Sequence, residues 1–307
     1  MTGSTFAKAV LALALLLSWG CGPKAAGSGA AAPADAERGP AMWTVRDENS
    51  TVYLFGTFHI LPKETKWTTA AFDEAMRATP VTVTEVDTKS PDEQARMAAL
   101  VQELGINPPG VTLTGLLGPV RAERFSAIAE RYGAPMSMFE PMKPWLAMIS
   151  LSVTIMQKEG FDPASGAEEI VLSRAASEGD RVAHLESAEY QIRALASLNQ
   201  DEILEDFDAS LGEYENFDAY SGRVLKAWTS GDVEALERET IRDMREKAPD
   251  AFRILIKDRN AGWASRIEGF MAGDEDYFIA VGAGHLLGDD SVLAMLEERG
   301  FAVERVQ

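Results

Sequence analysis

The sequence is poor in the side chains most often used to bind metals and carry out nucleophilic chemistry: it has one cysteine, Cys21, and three histidines in 307 residues. A single thiol excludes a disulfide within the chain and any metal centre built from several cysteines. Positive charge is scarce too, with 29 basic against 48 acidic side chains and a formal charge of −19. Such a surface repels a phosphate backbone, so nucleic acid is not an expected partner. After the first twenty residues no apolar run approaches the roughly 20 residues of a membrane-spanning helix. What the chain does have is ordinary core material. Apolar side chains make up 46% of it, enough to bury a sizeable core and to exclude a largely disordered chain.

The first residues follow a pattern of their own. Lys8 precedes an apolar run from Ala9 to Leu17, followed by Ser18, Trp19, Gly20 and Cys21. This reads as an export signal, the run being too short to span a bilayer. Cys21 directly after Gly20 resembles a bacterial lipobox, in which the cleaved cysteine is acylated, although Ser18 and Trp19 stand where that pattern prefers Leu and a small residue. An ordinary signal peptide cut near Ala32 is the alternative. Residues 22–40 are rich in Ala, Gly and Pro and hold too little large apolar material to fold, so they read as a tether. The expected organisation is a signal peptide over 1–20, a flexible tether over 21–41 and a folded domain over 42–307. The mature protein is expected to be exported and held on a membrane through a lipid on Cys21. Gly22, where a bacterial sorting rule has Asp for inner-membrane retention, points by resemblance to the outer membrane.

The folded part opens with a hairpin: Met42 to Arg46, a turn at Asp47–Asn49, then Thr51 to Phe55, rich in β-branched and aromatic residues. A helix over Thr68 to Ala78 leads to a strand over Val81 to Val86. From Pro91 to Met271 the pattern is helical, interrupted by a short strand, Arg181 to Leu185, with Asp232 and Pro249 as helix starts. Strand returns at Tyr277 to Val281. A helix over Ser291 to Arg299, stopped by Gly300, precedes a last strand, Ala302 to Val306. Strands bracket helices, which predicts an α/β or α+β domain: a sheet assembled from amino- and carboxyl-terminal strands with a large helical insertion between them.

Two of the three histidines share one local frame, Gly56-Thr57-Phe58-His59 and Gly282-Ala283-Gly284-His285, each following an apolar strand. A glycine turn at a strand's carboxyl end presents the next polar side chain where open α/β sheets place ligands. Two-residue alternation puts Val81, Val83, Glu85 and Asp87 on one face, so Glu85 leaves its strand at the corresponding end, with Asp87 in reserve. Two imidazoles and a carboxylate suit Zn, Mn, Co or Fe, whose bound water becomes a nucleophile near neutral pH. The same residues also permit metal-free hydrolysis, a histidine activating water and a carboxylate orienting it. His184 has no glycine frame and reads as structural.

Those frames and their neighbours carry a family resemblance. Tyr53 to His59 followed by Val83 to Asp87 resembles the amino-terminal signature of TraB/GumN proteins, a group that includes the Tiki metalloproteases. Val281 to Gly288 followed by Leu296 to Val306 is similar to that family's carboxyl-terminal signature. Lys143-Pro144-Trp145, Gly166 to Arg174, Leu185-Glu186 and Asp258 to Trp263 match further blocks in order. The resemblance spans about Met42 to Val306. It implies a divalent-metal-dependent peptidase in which both Gly-x-x-His motifs and an acid are needed. The ion, Mn, Co or Zn, would be held by His59, Glu85 and His285, and the catalytic set would be these three with Arg259. Arg259 would stabilise an oxyanion or hold a substrate carboxylate, and Glu168 is a reserve acid. The wider fold group resembles erythromycin esterases and a haem-binding lipoprotein. The alternatives are therefore a metal-independent esterase-like hydrolase and a metal- or haem-binding lipoprotein without turnover. The expected substrate is a peptide or a small ester. A third reading makes the acidic run at Glu202, Glu205, Asp206 and Asp208 a protein-docking surface, although such runs are usually solvated faces.

Overall fold

The computed structural model describes residues 39–205 and 207–307. The segment expected to be an export signal, the expected acylation site Cys21, nearly all of the expected tether and Asp206 lie outside the described residues. Packing begins at Gly39: residues 39–41 are buried, and the Gln307 side chain donates to the Pro40 carbonyl. Among the described residues no helix is long and apolar enough to cross a membrane.

The opening hairpin forms as expected. Asp47 Oδ1 accepts from the backbone N–H groups of Asn49 and Ser50, at 3.0 and 2.8 Å, turning the chain between β1 (Met42–Arg46) and β2 (Thr51–Thr57). The Ala70–Ala78 helix starts where Thr69 Oγ1 accepts from Phe72 N, and β4 (Val81–Thr84) follows it. A two-residue strand β3 (Leu61–Pro62) pairs with β5 (Phe161–Asp162) in a separate small ribbon. The main sheet is completed by β6 (Arg181–His184), β7 (Tyr277–Gly282) and β8 (Ala302–Arg305), in the order β6-β4-β7-β2-β1-β8. β6, β4, β7 and β2 run parallel, while β1 is antiparallel to both β2 and β8.

The fold is thus α/β, with helices between the amino- and carboxyl-terminal strands, and one strand from within the helical stretch, β6, joining the sheet beside β4. β7, from the far end of the sequence, inserts between β2 and β4, pairing Val52–Thr57 with Tyr277–Gly282 on one side and Val81–Val83 with Tyr277–Ile279 on the other. The consequence for function is that the carboxyl ends of four neighbouring parallel strands lie along one edge of the sheet.

Both faces of these central strands are covered, which is why they read as continuous apolar runs. Phe55, Phe278 and Ala280 pack with Phe72 and Met76 and with the large helical stretch through Trp228 and Leu151. Val52, Leu54, Ile279 and Val281 pack on the opposite face with Trp263, Ile267 and Leu296. Phe55, Phe72 and Phe278 are in mutual ring contact, with centroids 5.1 to 6.0 Å apart.

One glycine is decisive for the turn after β2. The Ala167 N–H, the first of the Ala167–Glu178 helix, donates to the Phe58 carbonyl at 2.7 Å. A Cβ at Gly166 would lie 2.0 Å from the His59 carbonyl oxygen, so only glycine lets the helix start this close to the histidine turn. Gly166→Ala is therefore expected to destabilise the fold by about 3 kcal/mol or more through overpacking against backbone. Chemical denaturation of the variant checks this, and a loss no larger than that of an exposed glycine substitution contradicts the close approach.

Candidate active site

The four parallel strand ends each deliver polar side chains to one place. β2 leads to His59, β4 to Glu85, β6 to Glu186, and β7 to His285 in the short turn Ala283–Leu286. Pairing of β4 with β6 continues past the strands, with Leu185 N donating to Thr84 O and Glu186 N to Glu85 O. Glu85 and Glu186 therefore leave the sheet edge side by side. One helix, Asp258–Met271, supplies Arg259, Asn260 and Trp263 from the face covering these ends. His59, Glu85, Glu168, Arg259, Asn260 and His285 are all at most 7% exposed, so their charges act on one another with little screening by water.

Arg259 is the hub. Its Nη2 donates to Glu85 Oε2 and to Glu186 Oε1, both at 2.7 Å, and its Nε donates to the Glu186 carboxylate at 3.1 and 3.2 Å. Nη1 reaches the Leu255 carbonyl and His285 Nε2, both at 3.1 Å. These contacts use all five N–H donors of a guanidinium. The ring of Trp263, one helical turn on, lies under the guanidinium at 4.7 Å, and its Nε1–H donates to Glu186 Oε2. The segment before this helix, Arg253–Lys257, is a π-helical turn, in which Asp258 N donates to Arg253 O.

The neighbours of the hub are equally committed. Glu85 Oε1 accepts from Gly282 N at 2.7 Å, and Oε2 accepts from Gln191 Nε2 as well as from Arg259. Asn260 Nδ2 donates to the Asp290 carbonyl, which turns Asn260 Oδ1 toward His285 Nδ1, 2.6 Å away. The His285 proton therefore sits on Nδ1, and Nε2 is a lone pair capped by Arg259. Burial, the Arg259 charge and His59 hold the His285 imidazolium well below its usual pKa. Burial raises Glu186 above the ordinary carboxylate range against the pull of Arg259.

His59 and Glu168 stand apart from this saturation. Glu168, the second residue of the Ala167–Glu178 helix, is brought to His59 by the Gly166 approach, with Oε2 3.4 Å from Nδ1. His59 Nε2, Glu168 Oε2 and Thr57 Oγ1 are buried without a hydrogen-bond partner, a costly condition that calls for a reason. Burial, assisted by the Arg259 charge, lowers the His59 pKa to about 3. Burial, assisted by the Glu85 charge, pushes Glu168 well above the usual range for a carboxyl. The pair thus joins an imidazole held unprotonated to a carboxyl whose hold on its proton is strengthened.

The structure brings His59, Glu85, His285 and Arg259, the four residues singled out from the sequence, into one cluster, together with the reserve acid Glu168. It does not bring in Asp87. The strand ends at Thr84, so the two-residue alternation stops, and Asp87 instead accepts from Lys89 N and Ser90 N in the turn before the Pro91–Gly105 helix. His184 Nδ1 lies 2.9 Å from Thr84 Oγ1, joining β6 to β4 away from the cluster. Glu186, Asn260, Gln191 and Trp263 belong to the network but carried no assigned role from sequence. Glu186 had a readable signal, since it follows β6 as Glu85 follows β4.

The donor set does not suit an ion on His59, Glu85 and His285. Both nitrogens of His285 and both oxygens of Glu85 are spent, and a permanent guanidinium charge sits among them. Among the described residues no three His, Cys, Asp or Glu side chains are grouped so as to hold a metal ion. Arg259, likewise, has no donor left for an oxyanion or a substrate carboxylate.

The geometry defines a class: a mixed α/β domain with a buried polar cluster at the carboxyl ends of its parallel strands. More particularly, the chain belongs to the TraB/PrgY/gumN family, which matches it over residues 41–305. No curated protein and no solved structure matches the chain.

If Glu186 anchors Arg259, Glu186→Ala strands two buried guanidinium donors, and we expect a stability loss of about 3 to 5 kcal/mol, as when one partner of a buried pair is removed. Urea denaturation measures it; a loss under about 1 kcal/mol, the range of an exposed pair, contradicts the hub.

Proposed function

We propose that the protein is a hydrolase of acyl bonds, acting on a peptide or a small ester, with His59 as the base and Glu168 as the acid. The observation that carries this reading is the contrast within the cluster. Glu85, Glu186, Arg259 and His285 are fully bonded, whereas His59 Nε2 and Glu168 Oε2 are buried, adjacent and free.

In this mechanism water attacks the acyl carbon and its proton passes to His59 Nε2, the only free lone pair on either imidazole. Glu168 gives its proton to the leaving oxygen or nitrogen as the acyl bond breaks. The imidazolium then passes its Nδ1 proton to the Glu168 carboxylate across their 3.4 Å separation, and exchange of the remaining ring proton from Nε2 to Nδ1 through solvent returns His59 to its starting tautomer. Two adjacent groups with pKa values pushed in opposite directions provide the acid and the base. The Arg259 network fixes the walls of the site, and the Arg259 charge helps hold His59 in its unprotonated form. The metal-dependent reading, with an ion on His59, Glu85 and His285, is not used in this reaction because Arg259 already engages two of those three residues.

The test is a panel of neutral esters and peptides offered to chelator-treated protein. We expect His59→Ala to lose about 10²- to 10⁴-fold in rate, the usual contribution of a positioned acid or base. Glu168→Gln should lower kcat more than KM. The rate should fall toward acid as His59 takes up a proton, near pH 3, and fall toward alkali as Glu168 loses its own. Turnover unaffected by His59→Ala would sink the assignment, and absence of any product across the panel would favour a binding protein.

We propose further that the substrate is met outside the cytoplasm, from a membrane tether attached at Cys21. Radiolabelled palmitate should enter the unmutated protein in cells and be absent from Cys21→Ser; labelling of neither protein contradicts the anchor.

A further inference from the structure

We infer that the Thr57 hydroxyl is the donor that receives the acyl oxygen of the substrate, which makes Thr57 a further catalytic residue beside His59 and Glu168. The inference rests on the hydrolase reading and supplies a part that reading lacks. When water adds to an acyl carbon, the carbonyl oxygen becomes an oxyanion and needs a hydrogen-bond donor fixed in advance. The Arg259 cluster directs its donors inward. Every N–H of Arg259 is bonded, Gln191 Nε2 is turned to Glu85, Asn260 Nδ2 to the Asp290 carbonyl and the Trp263 indole to Glu186.

Thr57 is the exception. Its side chain is fully buried, yet Oγ1 meets no hydrogen-bond partner. A threonine hydroxyl rotates to suit any acceptor within reach, so this one is unpaired because the folded chain offers it none. Valine has nearly the same shape and would fill the position without leaving a buried polar group unmatched.

Its place in the fold decides what the hydroxyl can serve. Thr57 ends β2, paired with Gly282, whose N–H holds Glu85, and His59 follows two residues later. Gly282 has no side chain, so none from β7 stands beside the hydroxyl at this register. Strand alternation turns Thr57 to the side of the sheet on which Phe55 packs. The helix that brings Glu168 to His59 covers the same side, since its Ala167 and Val171 share the apolar cluster of Phe55. An O–H donor, an imidazole lone pair and a carboxyl, all buried and unpartnered, therefore belong to one strand end and one side of the sheet. Acyl transfer asks for these groups: a donor for the carbonyl oxygen, a base for the water and an acid for the leaving group.

Two other buried donors lack partners, and neither ends a parallel strand. Thr44 lies in β1, paired with Tyr53 toward the opposite end of β2, and Trp145 lies in the Pro144–Lys158 helix against Gly105. In the reaction, the water oxygen bonds to the acyl carbon while the carbonyl π pair moves onto its oxygen, which accepts from the Thr57 O–H. That pair returns as the bond to the leaving group breaks and the leaving group takes the Glu168 proton. Thr57 keeps its own proton throughout.

The experiment measures p-nitrophenyl acetate hydrolysis by the unmutated full chain, Thr57→Val, Thr57→Ser and His59→Ala, with thermal denaturation of each. Thr57→Val should lose about 10²- to 10³-fold in kcat with little change in KM, the usual effect of removing one oxyanion donor, and Thr57→Ser should recover part of that loss. Thr57→Val should melt at or above the temperature of the unmutated protein, because it removes an unpaired hydroxyl. Unchanged kcat in Thr57→Val overturns the proposal, and if His59→Ala still loses rate the base assignment stands. A loss in Thr57→Val with none in His59→Ala keeps the hydroxyl and overturns the base. A Thr57→Val protein that melts well below the unmutated one, or does not fold, makes the hydroxyl structural and also overturns the proposal.

If the unmutated protein does not turn over this ester, calorimetric titration with phenylboronic acid decides the matter, since its tetrahedral boronate imitates the water adduct. Binding weakened at least about tenfold in Thr57→Val supports the donor role, the loss expected for a hydrogen bond to a charged oxygen. Equal affinity in the two proteins, or no binding to the unmutated one, overturns it.

Discussion

The organisation of the site depends on one guanidinium held between two carboxylates at the ends of adjacent strands. Taking Arg259, Glu85 and Glu186 out of water carries a large desolvation cost, and the cluster is tolerable only because each charge is paired at close range and the remaining hydrogen-bonding positions are filled. That requirement accounts for the neighbours: Gly282 N, Gln191 and the Trp263 indole complete the carboxylates, and Leu255 O and His285 complete the guanidinium. Beyond burial, the Glu85 charge adds to the upward shift of the nearby Glu168 carboxyl.

The parallel sheet makes this possible. β2, β4, β6 and β7 come from well-separated parts of the chain, yet parallel pairing places their carboxyl ends together and in register. The helix carrying Arg259 crosses that edge because Trp263, Ala264 and Ile267 bury against the face formed by Val52, Leu54, Ile279 and Val281. Packing in the core thus fixes where the arginine stands, and the polar network fixes how it points.

Much of this arrangement was legible in the sequence. Runs of β-branched and aromatic residues marked the strands, Asp232 and Pro249 marked helix starts, and two glycine turns after strands marked both histidines. The insertion of β7 between β2 and β4 was not legible, since strand order depends on long-range pairing that no local pattern encodes. Asp87 misled because alternation describes a residue only while it remains in a strand. The saturation of Arg259 was hidden for a related reason: its five donors end on residues 85, 186, 255 and 285, and only the assembled fold brings those together.

The two Gly-x-x-His frames look equivalent in sequence and are not equivalent in space. Both histidines follow glycine turns at the ends of neighbouring strands, and burial lowers both imidazoles. What separates them is the element each one meets. His285 faces a helix bearing Asn260 and Arg259, which spends both of its nitrogens and makes it part of the scaffold. His59 faces the start of a different helix, admitted by Gly166, whose acid approaches one nitrogen and leaves the other unbonded. A repeated motif therefore yields one imidazole bonded at both nitrogens and one with a nitrogen left unbonded. The division follows from which side chains the fold sets opposite each ring, not from the motif.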